Sequence, residues 1–268
     1  MKNVKLFWKS YQKSGLENWI SPANIWRNTS NSSAACDYTI HFDSLDVPNS
    51  ESIFLVEPKS IHPKYYEYAK KHYGRLKSVI SYDRSFFRDI PNLIHIPPPF
   101  GAWMHGDDRK IHKKNKNISF IASTKEMCEE HVYRQQMVKK FGSHCDVYGS
   151  GRGAKEIKHK IDGLRDYRFT FCMENYVTDL YYTEKLLDCF LTGTIPKFYG
   201  VRNINTVFDD RGVVWMDDIL RGIVSIEELD EEFYKSRLEY INHNFNVAKS
   251  LNNGVPNSID HAIINGLK

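Results

Sequence analysis

The sequence predicts an α/β fold made of two doubly wound, Rossmann-like domains that face a cleft. Short apolar runs rich in β-branched and aromatic residues alternate with segments of helical periodicity in both halves of the chain. Strands and helices that alternate at this spacing imply parallel strands joined by crossover helices. Three consecutive prolines at residues 97–99 stiffen the chain between the halves. Two doubly wound domains, the first of them short, are therefore the expected architecture.

The first half contains five apolar runs that match strands and one segment that matches a helix. The helical segment, residues 63–73, starts with Pro63, whose missing N–H is harmless in a first helical turn. Residues 1–104 are therefore expected to form the first domain. The predicted strands span residues 4–8, 38–42, 53–56, 78–81 and 93–96.

The second half repeats this alternation after a charged segment, residues 105–117. That segment lacks apolar periodicity and is expected to be a solvated linker or, alternatively, a mobile basic loop. Residues 118–245 are expected to form the second domain, and the polar tail, residues 246–268, to pack back on the first. The predicted strands span residues 118–122, 145–148, 168–173, 194–199 and 212–216, and the predicted helices residues 125–141, 183–192 and 226–245.

The composition is that of a chain of 268 residues with a formal net charge of +4. This mild excess does not require a nucleic-acid partner, and we expect none. The chain shows no apolar leader and no apolar run long enough to span a bilayer, so we expect no transmembrane segment and a cytoplasmic location. The five cysteines are odd in number and form no Cys-x-x-Cys pair, which favours reduced thiols over a disulfide framework.

The segment at residues 167–200 carries an unusual set of polar residues. A predicted strand ends there at Glu174, a predicted helix begins at Thr183, and Gly193 separates that helix from the next strand. The polar residues gather where the strand ends and the helix begins, which is the edge at which α/β sheets bind phosphorylated ligands. They are Glu174, Asn175, Tyr181, Glu184 and Lys185.

This segment resembles the donor-binding motif of the family 10 glycosyltransferases, the α-1,3/4-fucosyltransferases. In that family a strand ends in Phe-Glu-Asn, and Tyr-x-Thr-Glu-Lys opens the following helix. Met173-Glu174-Asn175 and Tyr181-Tyr182-Thr183-Glu184-Lys185 hold these places here, with one hydrophobic exchange at Met173. The resemblance implies a GT-B-like fold with an acceptor-side domain at residues 1–104 and a nucleotide-sugar donor domain at residues 118–245. Eukaryotic members usually carry a membrane anchor, so it also implies a bacterial-type or viral enzyme.

The resemblance further implies that the motif residues bind the donor. A cation is normally disfavoured in a first helical turn, so Lys185 suits a site where a diphosphate occupies the helix end. The alternative interpretation of Lys185 is a solvated surface lysine. Glu184 can accept hydrogen bonds from ribose or sugar hydroxyls, or it is simply an acidic residue favoured by the helix dipole. The implied donor-binding residues of the motif are Glu174, Asn175, Tyr181, Glu184 and Lys185.

Arg134 is a second candidate for binding the diphosphate. The family has an arginine early in the helix that follows the first donor-domain strand, and Arg134 holds this place after the strand at residues 118–122. The planar guanidinium group of arginine can bind two phosphate oxygens at once. The alternative interpretation is an ion pair with Glu130 on the helix surface.

Glu57 is the candidate catalytic base. It follows the apolar run at residues 53–56 and is therefore expected at the carboxyl end of a strand, facing the presumed cleft. The family's catalytic glutamate also follows such a strand in the acceptor domain, although Pro58 departs from the polar residues of the family pattern. A half-buried carboxylate at this place suits deprotonation of an acceptor hydroxyl. The alternative is a surface acid at a strand end.

The chain contains no Asp-x-Asp and no His-Glu-x-x-His motif. We therefore expect no dedicated metal site and no cofactor, so that Arg134 and Lys185 neutralise the donor phosphates. Together with the resemblance, this predicts a metal-independent, inverting fucosyltransferase that moves fucose from GDP-fucose to a hydroxyl group of a glycan acceptor. A GT-B enzyme with another nucleotide sugar and a non-catalytic carbohydrate-binding remnant are the alternatives.

Overall fold

The computed structural model describes residues 1–8, 19–30, 32–33, 35–151 and 153–267. The chain divides into two compact units. The first comprises Met1–Pro99, Thr178–Leu180 and Asn253–Lys268, and the second comprises Phe100–Val177 and Tyr181–Asn252. The end of the chain thus belongs to the first unit, and the segment that follows the three prolines belongs to the second.

The first unit is built on a sheet of six parallel strands in the order β2-β1-β3-β4-β5-β6. Its middle strands are almost entirely buried, which explains why they occur in the sequence as short continuous apolar runs rather than as alternating patterns. The strands are β1 (Lys2–Trp8), β2 (Trp26–Asn28), β3 (Tyr38–Phe42), β4 (Ser52–Phe54), β5 (Ser78–Ser81) and β6 (Leu93–His95).

Two helices belong to this unit, α1 (Pro63–His72) and α7 (Gly254–Asn265). The sequence analysis predicted α1 but treated the end of the chain only as a polar tail. The buried carboxylate of Asp260 joins α7 to the unit, because it accepts hydrogen bonds from Ser21 Oγ at 2.6 Å and from the indole N–H of Trp26. Helix α7 is therefore held by a buried polar contact that its own sequence does not reveal.

The second unit is built on a sheet of five parallel strands in the order β11-β10-β9-β7-β8. Its core includes the stacked rings of Phe120 and Phe171, whose centroids lie 4.5 Å apart. The strands are β7 (Lys116–Ala122), β8 (Asp146–Gly149), β9 (Tyr167–Met173), β10 (Ile195–Tyr199) and β11 (Val214–Trp215). The helices are α2 (Glu129–Phe141), α3 (Glu184–Thr192), α4 (Met216–Leu220), α5 (Glu231–Ser236) and α6 (Leu238–Ser250).

The predicted crossover is present as β9, α3 and β10. Thr183 caps the amino end of α3, where its hydroxyl accepts a hydrogen bond from the N–H of Lys185. Gly193 ends the helix with a left-handed backbone, φ 71°. A Cβ atom at Gly193 would lie 2.7 Å from Cγ2 of Ile111, so both backbone conformation and space require glycine there.

Two predicted elements near the end of the second unit have different bounds. The helix predicted at residues 226–245 is divided into α5 and α6, which meet at Arg237. Asp230 caps the start of α5 by accepting a hydrogen bond from the N–H of Phe233 at 2.8 Å, which sets a new helix start inside the predicted one. The strand predicted at residues 212–216 is shortened because α4 begins at Met216.

Residues 105–117 differ from the predicted solvated linker, since they are tied into the second unit. Ile111 packs against the apolar core. Lys114 Nζ donates hydrogen bonds to the carbonyl oxygens of Leu164 at 3.1 Å and Thr192 at 2.8 Å. A lysine with carbonyl partners looks like any other lysine in a basic sequence, so the charge pattern concealed this structural role.

Two expectations drawn from composition can be compared with the structure. The five cysteines are free, and Cys172 on β9 and Cys189 on α3 are buried in the crossover, as predicted. Within the described part of the chain, no helix combines the length and the apolar character needed to cross a lipid bilayer.

Candidate functional site

Glu57 lies in the first unit, three residues beyond the end of β4, and is half-buried. Its backbone N–H donates a hydrogen bond to Oδ2 of Asp43 at 3.2 Å, and the N–H of Val56 donates to Oδ1 of the same carboxylate at 3.0 Å. Asp43 directly follows β3, so both acids stand at the carboxyl edge of the first sheet. The backbone segment that carries the predicted base is thus held by a second carboxylate.

Asp43 is an unusual residue that the sequence analysis missed. Its side chain is buried and its backbone is left-handed, φ 41°, which is uncommon for any residue other than glycine. Burial raises the pKa of Asp43 to about 7, against the opposing effect of the hydrogen bonds from Glu57 and Val56. An acid directly after a buried strand was the available signal, and it is the same signal that selected Glu57.

In the second unit, Glu174 fastens the end of β9 to the start of α3. Its side chain is fully buried, and Oε1 accepts a hydrogen bond from the N–H of Thr183 at 2.8 Å, while Oε2 accepts one from the Thr183 hydroxyl at 2.8 Å. Burial raises the pKa of Glu174, and the charge of Lys185 opposes this effect. Glu174 therefore holds Thr183, the residue that caps α3. This structural role explains the buried glutamate without any contact to a donor.

Lys185 already has anionic partners within the protein. Its Nζ lies 3.2 Å from Oε1 of Glu184 and 3.7 Å from Oε2 of Glu174. Burial lowers the pKa of Lys185, but the two carboxylates outweigh this effect and the net shift is upward. The two carboxylates therefore explain a cation at this helix end without a bound diphosphate. The unfavourable helix dipole is then weaker evidence that a diphosphate binds here. The ammonium group remains charged and 24% of the side chain is exposed, so it is available to an anion.

Arg134 on α2 is buried and reaches the elbow between β9 and α3, residues 174–183. Its Nη2 donates hydrogen bonds to the carbonyl oxygen of Met173 at 2.7 Å and to Oδ1 of Asn175 at 2.6 Å. The structure thus brings Arg134 together with the end of β9, and it replaces the alternative of a surface ion pair with Glu130. The guanidinium group donates to the side-chain oxygen of Asn175. This contact fixes the orientation of the amide, including its N–H₂ group.

His131 is a further residue of this elbow that the sequence analysis assigned no role. It is buried one helical turn before Arg134, and its Nδ1 accepts a hydrogen bond from the N–H of Met127 at 3.2 Å. The side chain of Asn175 also faces the ring and slightly opposes the lowering of its pKa. Burial and the charge of Arg134 lower the pKa of His131, so a neutral ring lies beside the guanidinium group.

Tyr181 contributes a buried ring rather than an exposed one. Its ring packs edge-on against Phe100, with centroids 5.6 Å apart, and against Tyr176, with centroids 6.0 Å apart. These contacts explain an aromatic residue at this position through packing. A contact between Tyr181 and a donor stays a prediction.

Lys160 is the cation that sequence reasoning missed. Its Nζ lies 2.7 Å from Oδ2 of Asp188 and 3.9 Å from Oε1 of Glu184. Lys185 and Lys160 together outweigh the burial of Glu184 and lower its pKa. Lys160 is distant from the motif in sequence and meets it only through the fold, so no local pattern could have indicated it.

The described residues contain no group of three or more His, Cys, Asp or Glu side chains placed to hold a metal ion. Cationic side chains are instead what this elbow offers to a negatively charged ligand: Arg134, Lys160 and Lys185. Whether the chain works without a metal stays a prediction.

Comparison with known proteins identifies the segment that contains this elbow. The model of the C-terminal domain of glycosyltransferase family 10 (fucosyltransferase) matches residues 111–234. The resemblance predicted from the motif around Glu174 and Lys185 is thereby confirmed.

A curated protein and two solved structures are similar to the chain. The α-(1,3)-fucosyltransferase FucT of Helicobacter pylori is 32% identical over 62 residues, which make up 23% of this chain and only 13% of that protein. A crystal structure of an α1,3-fucosyltransferase with GDP gives a TM-score of 0.54 at 14% identity, covering 97% of this chain and 88% of that one. A structure with GDP-fucose gives a TM-score of 0.51 at 15% identity, covering 94% and 82%. The structural likeness confirms the predicted GT-B-like α/β fold.

The segment that matches the family 10 model contains every predicted donor-binding residue, whereas Glu57 lies outside it. The missed residues divide in the same way, because His131 and Lys160 lie within the matched segment and Asp43 does not. The family match therefore covers the elbow of the second unit but not the candidate base, and the donor-binding and catalytic roles of these residues stay predictions.

Proposed function

We propose that this chain is an inverting glycosyltransferase that moves fucose from GDP-fucose to a hydroxyl group of a glycan acceptor, in the manner of an α-1,3-fucosyltransferase. One observation carries the proposal: the family 10 domain places Arg134, Asn175, Glu184 and Lys185 around one strand-to-helix elbow. The elbow contains three cationic side chains among the carboxylates that pair with them, and it lies at the carboxyl end of a parallel strand, where α/β sheets bind phosphorylated ligands.

The diphosphate of the donor would bind to Arg134 and Lys185. Arg134 is fixed by its bonds to Met173 and Asn175, so its remaining N–H groups are oriented in advance. Lys185 is held between two carboxylates, and its exposed part can turn toward phosphate oxygens. Both cations would stabilise the negative charge that grows on the diphosphate as it leaves.

The transfer step would be a single displacement at the anomeric carbon. The acceptor oxygen forms a bond to that carbon as the bond between the carbon and the diphosphate oxygen breaks, and GDP leaves with the electron pair. Glu57 takes the proton of the acceptor hydroxyl. Attack from the face opposite GDP inverts the configuration through an oxocarbenium-like transition state. No metal is needed in this scheme, because the cations of the protein neutralise the leaving group.

The first experiment measures which nucleotide the chain binds. GDP and GDP-fucose should raise the melting temperature, because a ligand that binds only the folded state stabilises it. Stabilisation by UDP and not by GDP would indicate another nucleotide sugar as donor and contradict the proposal.

The second experiment measures GDP release from GDP-fucose with and without glycan acceptors, before and after exhaustive chelation. We expect acceptor-dependent release that survives chelation. Binding of GDP-fucose without release on any acceptor would indicate a non-catalytic carbohydrate-binding protein. Loss of release on chelation, restored by manganese or magnesium, would contradict metal independence.

A further inference from the structure

Trp103 is a large apolar side chain that remains 62% exposed beside the elbow. Its backbone is nevertheless firmly held. The N–H groups of Trp103 and Met104 donate hydrogen bonds to Oδ1 of Asp188 at 2.8 and 3.0 Å. Asp188 is fully buried on α3, one turn after Glu184. The indole is thus presented to solvent from a backbone segment that is fixed to the donor-binding helix.

Lys160 connects this indole with the elbow. Its Nζ lies 4.6 Å from the centre of the Trp103 ring, and it is paired with Asp188 at 2.7 Å and Glu184 at 3.9 Å. The ammonium group occupies one face of the ring, as in a cation–π contact. Lys160 therefore links Trp103 to Glu184, the residue expected to accept hydrogen bonds from the hydroxyl groups of the nucleotide or sugar.

An exposed, rigidly held indole suits a flat, electron-rich ligand. Stacking between an aromatic side chain and a nucleobase strengthens binding by roughly fivefold to a hundredfold per base. A cation on one face of the ring draws electron density toward itself, which favours an electron-rich purine on the remaining surface over the aliphatic C–H groups of a sugar. A neighbouring carboxylate for ribose hydroxyls fits the same ligand.

We propose that Trp103 is the stacking platform for the guanine base of the donor, with Lys160 and Asp188 fixing its position. This inference rests on the proposed function, since it assumes a guanine nucleotide at the elbow. It adds a specificity-determining residue that precedes the family 10 segment, which begins at residue 111.

The test compares the affinities of GDP and inorganic pyrophosphate for the wild type, Trp103→Ala and Trp103→Phe by calorimetry. We expect Trp103→Ala to weaken GDP binding about tenfold and Trp103→Phe to weaken it much less, because phenylalanine keeps a stacking face. Pyrophosphate, which has no base, should bind all three proteins equally. Equal weakening of both ligands, or unchanged GDP affinity in Trp103→Ala, would overturn the inference.

A spectroscopic readout separates stacking from a structural effect. GDP stacked on Trp103 should quench part of the tryptophan fluorescence of the wild type, and Trp103→Phe should lose that quenching. Trp215→Phe is the matched control, because Trp215 also lies beside a cation, Arg202, at 4.5 Å, but on β11. It should keep the quenching. If the wild type does not bind GDP at all, the proposed function fails with the inference; if it binds GDP and Trp103→Phe keeps the full quenching, only the inference fails.

Discussion

The carboxyl edges of the two sheets stabilise buried carboxylates in different ways. In the second unit, acidic and basic side chains alternate through contacts of 4 Å or less, in the order Glu174, Lys185, Glu184, Lys160 and Asp188. In the first unit, the buried carboxylate of Asp43 is held by two peptide N–H groups. In the second unit the ammonium groups oppose the effect of burial: they lower the pKa of Glu184, while burial still raises the pKa values of Glu174 and Asp188. In the first unit only peptide N–H groups oppose burial, and the pKa of Asp43 rises to about 7.

This difference indicates two kinds of chemistry. In a network of paired charges, each ammonium group keeps a carboxylate partner when no ligand is bound. The network can therefore bind an anionic ligand without leaving an isolated buried charge. A carboxyl with a pKa near neutrality, next to a half-buried glutamate, suits the transfer of a proton. We therefore infer that the second unit binds a charged donor and that the first unit deprotonates an acceptor.

The largest expected effect comes from Glu57→Gln, which keeps the shape of the side chain and removes the base. Transfer of fucose should fall by roughly 10²–10⁴-fold, while the affinity for GDP-fucose should stay near that of the wild type. Both are measured on the same protein, with Asp89→Asn as a control for loss of an exposed acid in the same unit. Transfer at the wild-type rate would show that another group of the first unit, with Asp43 the first to test, is the base.

The next effect separates the two roles of Lys185. Lys185→Met should lower the free energy of unfolding by about 3–5 kcal/mol, because the buried carboxylate of Glu174 loses the ammonium group that neutralises it. It should also weaken GDP binding about tenfold to a hundredfold, since a charge-assisted bond is lost. The double variant Glu174→Gln with Lys185→Met should recover most of the stability and none of the affinity for GDP.

That double variant decides whether Lys185 binds the donor. The neutral amide that replaces the carboxylate of Glu174 would keep the bond from the N–H of Thr183 through its oxygen, and its N–H₂ group would donate to the Thr183 hydroxyl. It would no longer need a counter-ion. If the double variant binds GDP as well as the wild type, Lys185 serves only to neutralise Glu174. The charge network of the second unit would then be structural.

The fold could be predicted to a large extent because most of its information is local. The strands Tyr38–Phe42 and Ser78–Ser81 were predicted with their observed bounds, since buried parallel strands occur as continuous apolar runs. Strand β2 was missed because its three residues, Trp26–Asn28, carry no pattern, and β1 and Asp260 supply the contacts that order them. Long-range partners therefore account for what the sequence did not reveal.

The candidate site shows the same limit. Glu174 and Lys185 belong to one contiguous motif, so the sequence could indicate them together. Lys160 and Asp43 acquire their roles from partners that are remote in the chain or from a left-handed backbone, neither of which has a sequence signature. The motif also suggested too simple a reason for Lys185, because the pairing with Glu174 becomes visible only in three dimensions.

A smaller effect is expected from Arg134→Lys, which keeps the positive charge and removes the planar fork. A lysine cannot hold Asn175 and Met173 and also offer two bonds to a diphosphate, so GDP affinity should fall about tenfold. Calorimetry with GDP measures this, and Lys139→Arg on the same helix is the matched control. Unchanged affinity would indicate that Arg134 only fixes the end of β9.

The smallest expected effect concerns the pH dependence of stability through Asp43. With a pKa of about 7 in the folded chain and an ordinary value of 3.8 in the unfolded chain, the carboxyl binds its proton more tightly in the folded state between these values. Its contribution to the free energy of unfolding should therefore fall as the pH rises from about 4 to about 7 and stay constant above. Asp43→Asn removes this titration, so the stability of the wild type relative to the variant should decrease by about 2 kcal/mol between roughly pH 5 and pH 8. Urea unfolding at both pH values measures it, with Asp89→Asn as the control for a lost charge. If the stability difference between the wild type and Asp43→Asn does not change with pH, the two peptide N–H groups keep Asp43 ionised. The two sheet edges would then differ in the groups that contact their buried carboxylates and not in the protonation of those carboxylates.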